Sequence, residues 1–196
     1  MHQTTKLTQT QDAALDRRIA AAEALAQSRV LEALAPYSPT LVSTIWVGLD
    51  LPESDIDVVC CFKCRSQFER RLIETLGGLK DFTLSSSKEA LIARATLGAF
   101  PLEIYGSNVA ISEQVAFRHY QVMQRLTSLS SADFSNRVKA YKTEGLKTEP
   151  AIAAVLNLQG EPFAAVMALE CASETELVSI LRNAGCLRLA TEAGAD

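Results

Sequence analysis

Aromatic residues are scarce, 6% of the 196 residues, with Trp46 the single tryptophan. Histidine is scarcer still, His2 and His119 alone. A structural zinc site normally takes four Cys or His ligands. Among the five cysteines here Cys61 and Cys64 have CxxC spacing, but Cys171 and Cys186 lie far along the chain. No zinc is therefore expected, and the odd cysteine count argues against a disulfide framework. Cations are also in deficit, with 19 Lys and Arg against 23 Asp and Glu, a net charge of −4. Extended binding to nucleic acid needs a surplus of cations, so it is not expected, although a local basic pocket for a nucleotide is compatible with this balance. No apolar run approaches the ~20 residues of a membrane span, and mean hydropathy is only +0.09. The first twelve residues are too polar for a secretory segment. These deficits point to a cytoplasmic globular protein with no membrane part, long enough for one domain or one domain with a helical annex.

What is present is strong periodicity. Leu15, Ile19, Ala22, Ala26, Val30 and Leu34 recur at helical spacing and predict a helix over 12–37, ended by Pro36 and Pro39. Two β-branched runs, 41–47 and 56–62, predict strands, the second ending on the small apolar residues Cys60 and Cys61. A helix is expected over 66–76, with Phe68, Leu72, Ile73 and Leu76 on one side and Gly77-Gly78 as its stop. Strands are expected over 81–86, 90–97 and 100–105. From Ile111 onward every segment reads as helix: 111–129, 133–143, 149–158 and 162–170. A Ser173-Glu176 capping box then opens the last helix, before Gly185. The expected fold class is α+β, a mixed β-sheet flanked by helices and followed by a helical C-terminal half. The domain division expected is 1–110, an α/β core with an N-terminal helix, and 111–196, helical.

The segment richest in chemistry runs from Val47 to Val58. Asp55 and Asp57 stand two apart at the mouth of an apolar strand, so both carboxylates project to one side while Ile56 and Val58 point to the core. Close carboxylates repel unless a cation or proton lies between them. Hard oxygen donors at this spacing suit Mg²⁺, which keeps waters and substrate phosphates as further ligands. Glu103, between core-facing Leu102 and Ile104, is a third carboxylate on another strand. If the two strands are neighbours, the three acids converge and can hold one or two metals. Acids at a strand mouth also serve as turn formers and solubilising charges.

Gly48 ending a strand, a short turn, Ser54-Asp55-Ile56-Asp57 and a later strand bearing Glu103 together resemble the DNA polymerase beta-like nucleotidyltransferase superfamily. More closely, the chain resembles a small bacterial domain family of unknown function assigned to that superfamily. The matching pieces are 45–48, 54–59, Leu102–Gly106, Gln114 with Arg118-His119, and the run 145–151. The resemblance implies Mg²⁺ in a two-metal site on Asp55, Asp57 and Glu103, and an NTP across Gly48. Transfer of a nucleotidyl group to a hydroxyl acceptor of unknown identity would follow, with Glu103 activating that hydroxyl. Where the superfamily usually carries Gly-Ser, this chain has Gly48-Leu49, with Ser54 the nearest hydroxyl to substitute. That departure leaves a second reading, a nucleotide-binding regulatory module without catalysis. A third is a protein-interaction role for the helical half, with a partner protein or a second copy.

Among other residues, Arg118 has the planar fork to clamp a phosphate and His119 could donate to a substrate oxygen. Gln114 and Arg118 equally form an i,i+4 polar pair on one helix face. Lys147 precedes Thr148, the expected N-cap of the next helix, and a helix N-terminus beside a lysine suits an anion. A plain loop and cap would use the same residues. Lys80, Lys88 and Lys139 read as ordinary solvated charges.

Overall fold

Alternating apolar residues build a sheet whose five strands lie in the order β1-β2-β5-β4-β3. The computed structural model describes residues 2–188, with side chains described from residue 15 onward. The chain divides into two units, one made of residues 1–46 and 52–114, the other of residues 47–51 and 115 onward.

In the first unit, helix α1 (His2–Ser28) stops at Arg29, whose φ of 56° is left-handed, and α2 (Val30–Ala33) resumes the direction change. The single helix expected over 12–37 is thus broken, since an L-residue in the left-handed region cannot continue a right-handed helix. The strand expected over 41–47 shrinks to β1 (Thr40–Leu41), and Thr44–Val47 forms a 3₁₀ turn. Ser43 is the cause: its hydroxyl accepts from the Ile45 N–H at 3.2 Å and donates to the Asp55 carbonyl at 2.6 Å. A side chain that satisfies nearby backbone groups competes with a sheet ladder.

Strands β2 (Ile56–Cys61), β3 (Lys80–Ser86), β4 (Ala90–Leu97) and β5 (Phe100–Ser107) form where strands are expected, and β4 shows the expected alternation. β2 runs parallel to β5 and antiparallel to β1, while β3-β4-β5 is an antiparallel meander. One sheet face buries Ile56, Val58, Leu91, Ala93, Leu102 and Ile104. Helix α3 (Arg65–Leu76) covers it with Phe68, Leu72 and Leu76, spaced four apart on one stripe, whereas Ile73, expected on the same side, lies off that stripe and is exposed. The Phe68 ring meets Tyr37 edge-on at 4.7 Å and stacks on Phe62 at 5.3 Å. Burying each such side chain stabilises the fold by ~1.5–3 kcal/mol. Burial pushes the Cys60 thiol up to about 12, the behaviour of an inert core residue.

The second unit is helical: α4 (Val115–Leu129), α5 (Ala132–Thr143), α6 (Thr148–Leu156), α7 (Pro162–Ala168) and α8 (Glu174–Asn183). The capping box at Ser173 and Glu176 forms as the sequence predicts. The N-cap of α6 is Lys147, not Thr148, which is already helical.

Candidate functional site

The mouth of β2 is held by its backbone. The Arg17 guanidinium on α1 donates to the Ser54 carbonyl at 2.6 Å, the Ser43 hydroxyl takes that of Asp55, and the Val42 N–H takes that of Asp57 at 3.0 Å. These three tethers fix the course of the backbone that carries the two aspartates. Ile56 and Val58 are fully buried, so alternation turns Asp55 and Asp57 to the opposite, open face, where both are half-buried.

β5 lies beside β2, and Asp57 stands directly opposite Glu103 in the parallel register. On the far side of Glu103, Arg94 of β4 is its antiparallel partner, with the guanidinium 2.5 Å from Oε2. Among the described residues no three His, Cys, Asp or Glu side chains stand together as a ready metal cluster. The donor chemistry is nonetheless that of Mg²⁺, which is commonly held by one or two carboxylates with substrate phosphates completing its shell. Asp55 and Asp57 supply such a pair, and Glu103 is the adjacent acid.

Gly48 belongs to the second unit, as does the whole 47–51 turn. The turn needs glycine, since its φ is 69°. Leu49 is fully buried there and Asp50 nearly so. Lys142 of α5 donates to the Leu49 carbonyl at 2.5 Å, and Lys139, one turn earlier, has its Nζ 3.8 Å from the Asp50 carboxylate. Lys139 is therefore a partly buried member of this turn, not a solvated charge. Its partner is eighty-nine residues away in sequence, and no local spacing announces such a contact.

The remaining candidates separate. Gln114 is not on a helix face with Arg118: it is extended, before α4 begins, and its amide donates to the Cys60 and Val109 carbonyls at 3.0 and 2.9 Å. Arg118 grips Glu170 with two nitrogens, at 2.9 and 2.5 Å. That bond holds the Glu170 carboxyl below its ordinary range. His119 is buried; its Nδ1 makes no hydrogen bond and lies 3.9 Å from Glu149. Lys147 is exposed at the start of α6.

This architecture is found in solved structures. The chain resembles the Cid1 poly(U) polymerase bound to MgGTP, with a TM-score of 0.52 and 16% identity, over 83% of this chain and 54% of that one. It resembles a cytoplasmic RNA terminal U-transferase equally, with a TM-score of 0.52 and 15% identity over 82% of this chain and 50% of that one. The GLD-2/RNP-8 complex matches at 0.52 and 15%, over 83% of this chain and 61% of that one. The chain thus spans between half and about three-fifths of the length of these structures, and its fold is nucleotidyltransferase-like. Within that class, its residues 23–169 match the model of a domain of unknown function, DUF4269, and the chain belongs to this family. No curated protein matches it in sequence.

Proposed function

We propose that the protein is a Mg²⁺-dependent nucleotidyltransferase that moves a nucleoside monophosphate from an NTP to a hydroxyl acceptor. The observation that carries this reading is the register of Asp57 with Glu103 on adjacent parallel strands, two residues after Asp55, on a nucleotidyltransferase-like sheet. Asp55 and Asp57 would hold Mg²⁺, which when bound neutralises phosphate charge and steadies the oxygens of an in-line displacement. The acceptor oxygen forms its bond to the α-phosphorus as the bond to the bridging oxygen breaks and pyrophosphate leaves. The hydroxyl proton passes to a carboxylate, and Glu103 is the residue assigned to receive it. Gly48, Ser54, Arg118, His119 and Lys147 are further candidate contacts for the nucleotide. The exposed free thiols Cys64 and Cys171 suit a reducing compartment, so the proposed setting is the cytoplasm, in keeping with the bacterial family the sequence resembles.

Calorimetric titration of each NTP, with Mg²⁺ and with EDTA, tests the assignment in the wild type and in D55N/D57N. Metal-dependent binding that disappears in the double variant is expected, together with pyrophosphate release once an acceptor is supplied. Unchanged turnover in Asp57→Asn would overturn it.

A specific observation favours a second reading. Leu49, in place of the superfamily's serine, is wholly buried and offers the phosphates no hydroxyl. A nucleotide-binding module without catalysis would bind NTP equally well in EDTA and release no pyrophosphate.

A further inference from the structure

Four side chains on the open face stand in one register row: Asp57 on β2, Glu103 on β5, Arg94 on β4 and Thr83 on β3. Directly opposed residues share a face and are close enough to interact. Glu103 is therefore flanked by a carboxylate on one side and a guanidinium on the other, and the guanidinium holds it at 2.5 Å. A guanidinium and a divalent cation have the same sign, and one carboxylate shared between them brings two positive charges together. The Arg94 side chain is 51% exposed, so it can exchange its partner for water at small cost.

We propose that Arg94 is the resident counter-cation of Glu103, a positioning residue that turns this carboxylate toward β4 and competes with a divalent metal for it. The free protein then binds the metal through the two aspartates alone, and Glu103 joins only when Arg94 lets go. This rests on the reading that Asp55 and Asp57 hold the metal. It accounts for a face that carries Asp55, Asp57 and Glu103, yet forms no ready three-donor cluster among the described residues.

The test is Mn²⁺ affinity, read from the electron paramagnetic resonance signal of the free ion, in the wild type and in R94Q, R94K, D57N, E103Q and R94Q/E103Q. With Arg94 removed, Glu103 is released to the metal as one further negative charge, which tightens binding by roughly five- to tenfold at a half-hydrated site. R94Q is expected to show that gain and R94K to stay near the wild type. In the E103Q background the gain from Arg94→Gln should shrink. R94Q that binds Mn²⁺ no more tightly than the wild type, while D57N binds it more weakly, overturns the proposal and leaves the metal assignment standing. A gain that persists in full without Glu103 also overturns it, since Arg94 would then act as a general charge. Loss of any difference between D57N and the wild type, or no Mn²⁺ bound by any variant, overturns both.

Discussion

Gly106 ends the run Leu102–Gly106 and lies on the core face of β5, three residues beyond Glu103. A Cβ placed there would stand 2.0 Å from Cε1 of Phe68. The glycine therefore has a packing reason: it lets α3 sit flush on the strand that carries the third acid. Phe68 is also locked by Tyr37 and Phe62, so the ring cannot simply step aside. Gly106→Ala is expected to cost roughly 1–3 kcal/mol through overpacking. Urea unfolding should show a lower midpoint with an unchanged slope; a midpoint equal to the wild type would show that α3 can yield. From the sequence, the inward and outward alternation of this strand was readable and so was the outward placement of Glu103. The ring above Gly106 was not, because it arrives from α3, thirty-eight residues earlier.

At the scale of elements, the periodic segments were legible and the interruptions were not. β2 through β5, α3 and the capping box of α8 all follow from apolar spacing or from a local side-chain bond that the sequence spells out. The break at Arg29 and the 3₁₀ turn at Thr44–Val47 depend on backbone geometry and on Ser43 finding a carbonyl twelve residues away, information that local propensity does not contain. The same distinction separates Asp55, Asp57 and Glu103, which strand alternation places, from Lys139, Lys142 and Arg17, whose roles come from tertiary contacts. Arg118 is an element-scale tie, joining α4 to the 3₁₀ turn Leu169–Cys171 through Glu170. The side-chain hydrogen bond from Arg118, with its charge, lowers the Glu170 pKa from 4.5. A carboxyl lowered on folding contributes stability that is complete above its unfolded value and lost as pH falls through its folded one. The difference in melting temperature between the wild type and Glu170→Gln should thus be constant at neutral pH and close below about pH 4.5. A gap that stays open at pH 2.5 would mean that Glu170 acts by shape, not charge.

Across the whole molecule, charge sets a limit on the acceptor that the proposed transfer would use. The solved structures of this fold with a TM-score of 0.52 include a poly(U) polymerase and an RNA terminal U-transferase. This chain spans only about half of each and carries a net charge of −4. Several of its arginines are spent on internal bonds: Arg118 on Glu170, Arg94 on Glu103, and Arg125 on the carbonyls of Leu169, Glu170 and Ala172. A polyanionic strand is held by releasing counterions from many phosphates at once, and each phosphate neutralised needs its own accessible cation. An NTP needs only a few, and the Mg²⁺ proposed to accompany it would neutralise part of its charge. The expectation is that a fluorescent oligo(U) strand shows no saturable binding in anisotropy titrations at physiological salt, while NTP binding is retained. If oligo(U) binds tightly with a steep salt dependence, the acceptor is an RNA end, and the cations that hold it lie outside the row and turn described above.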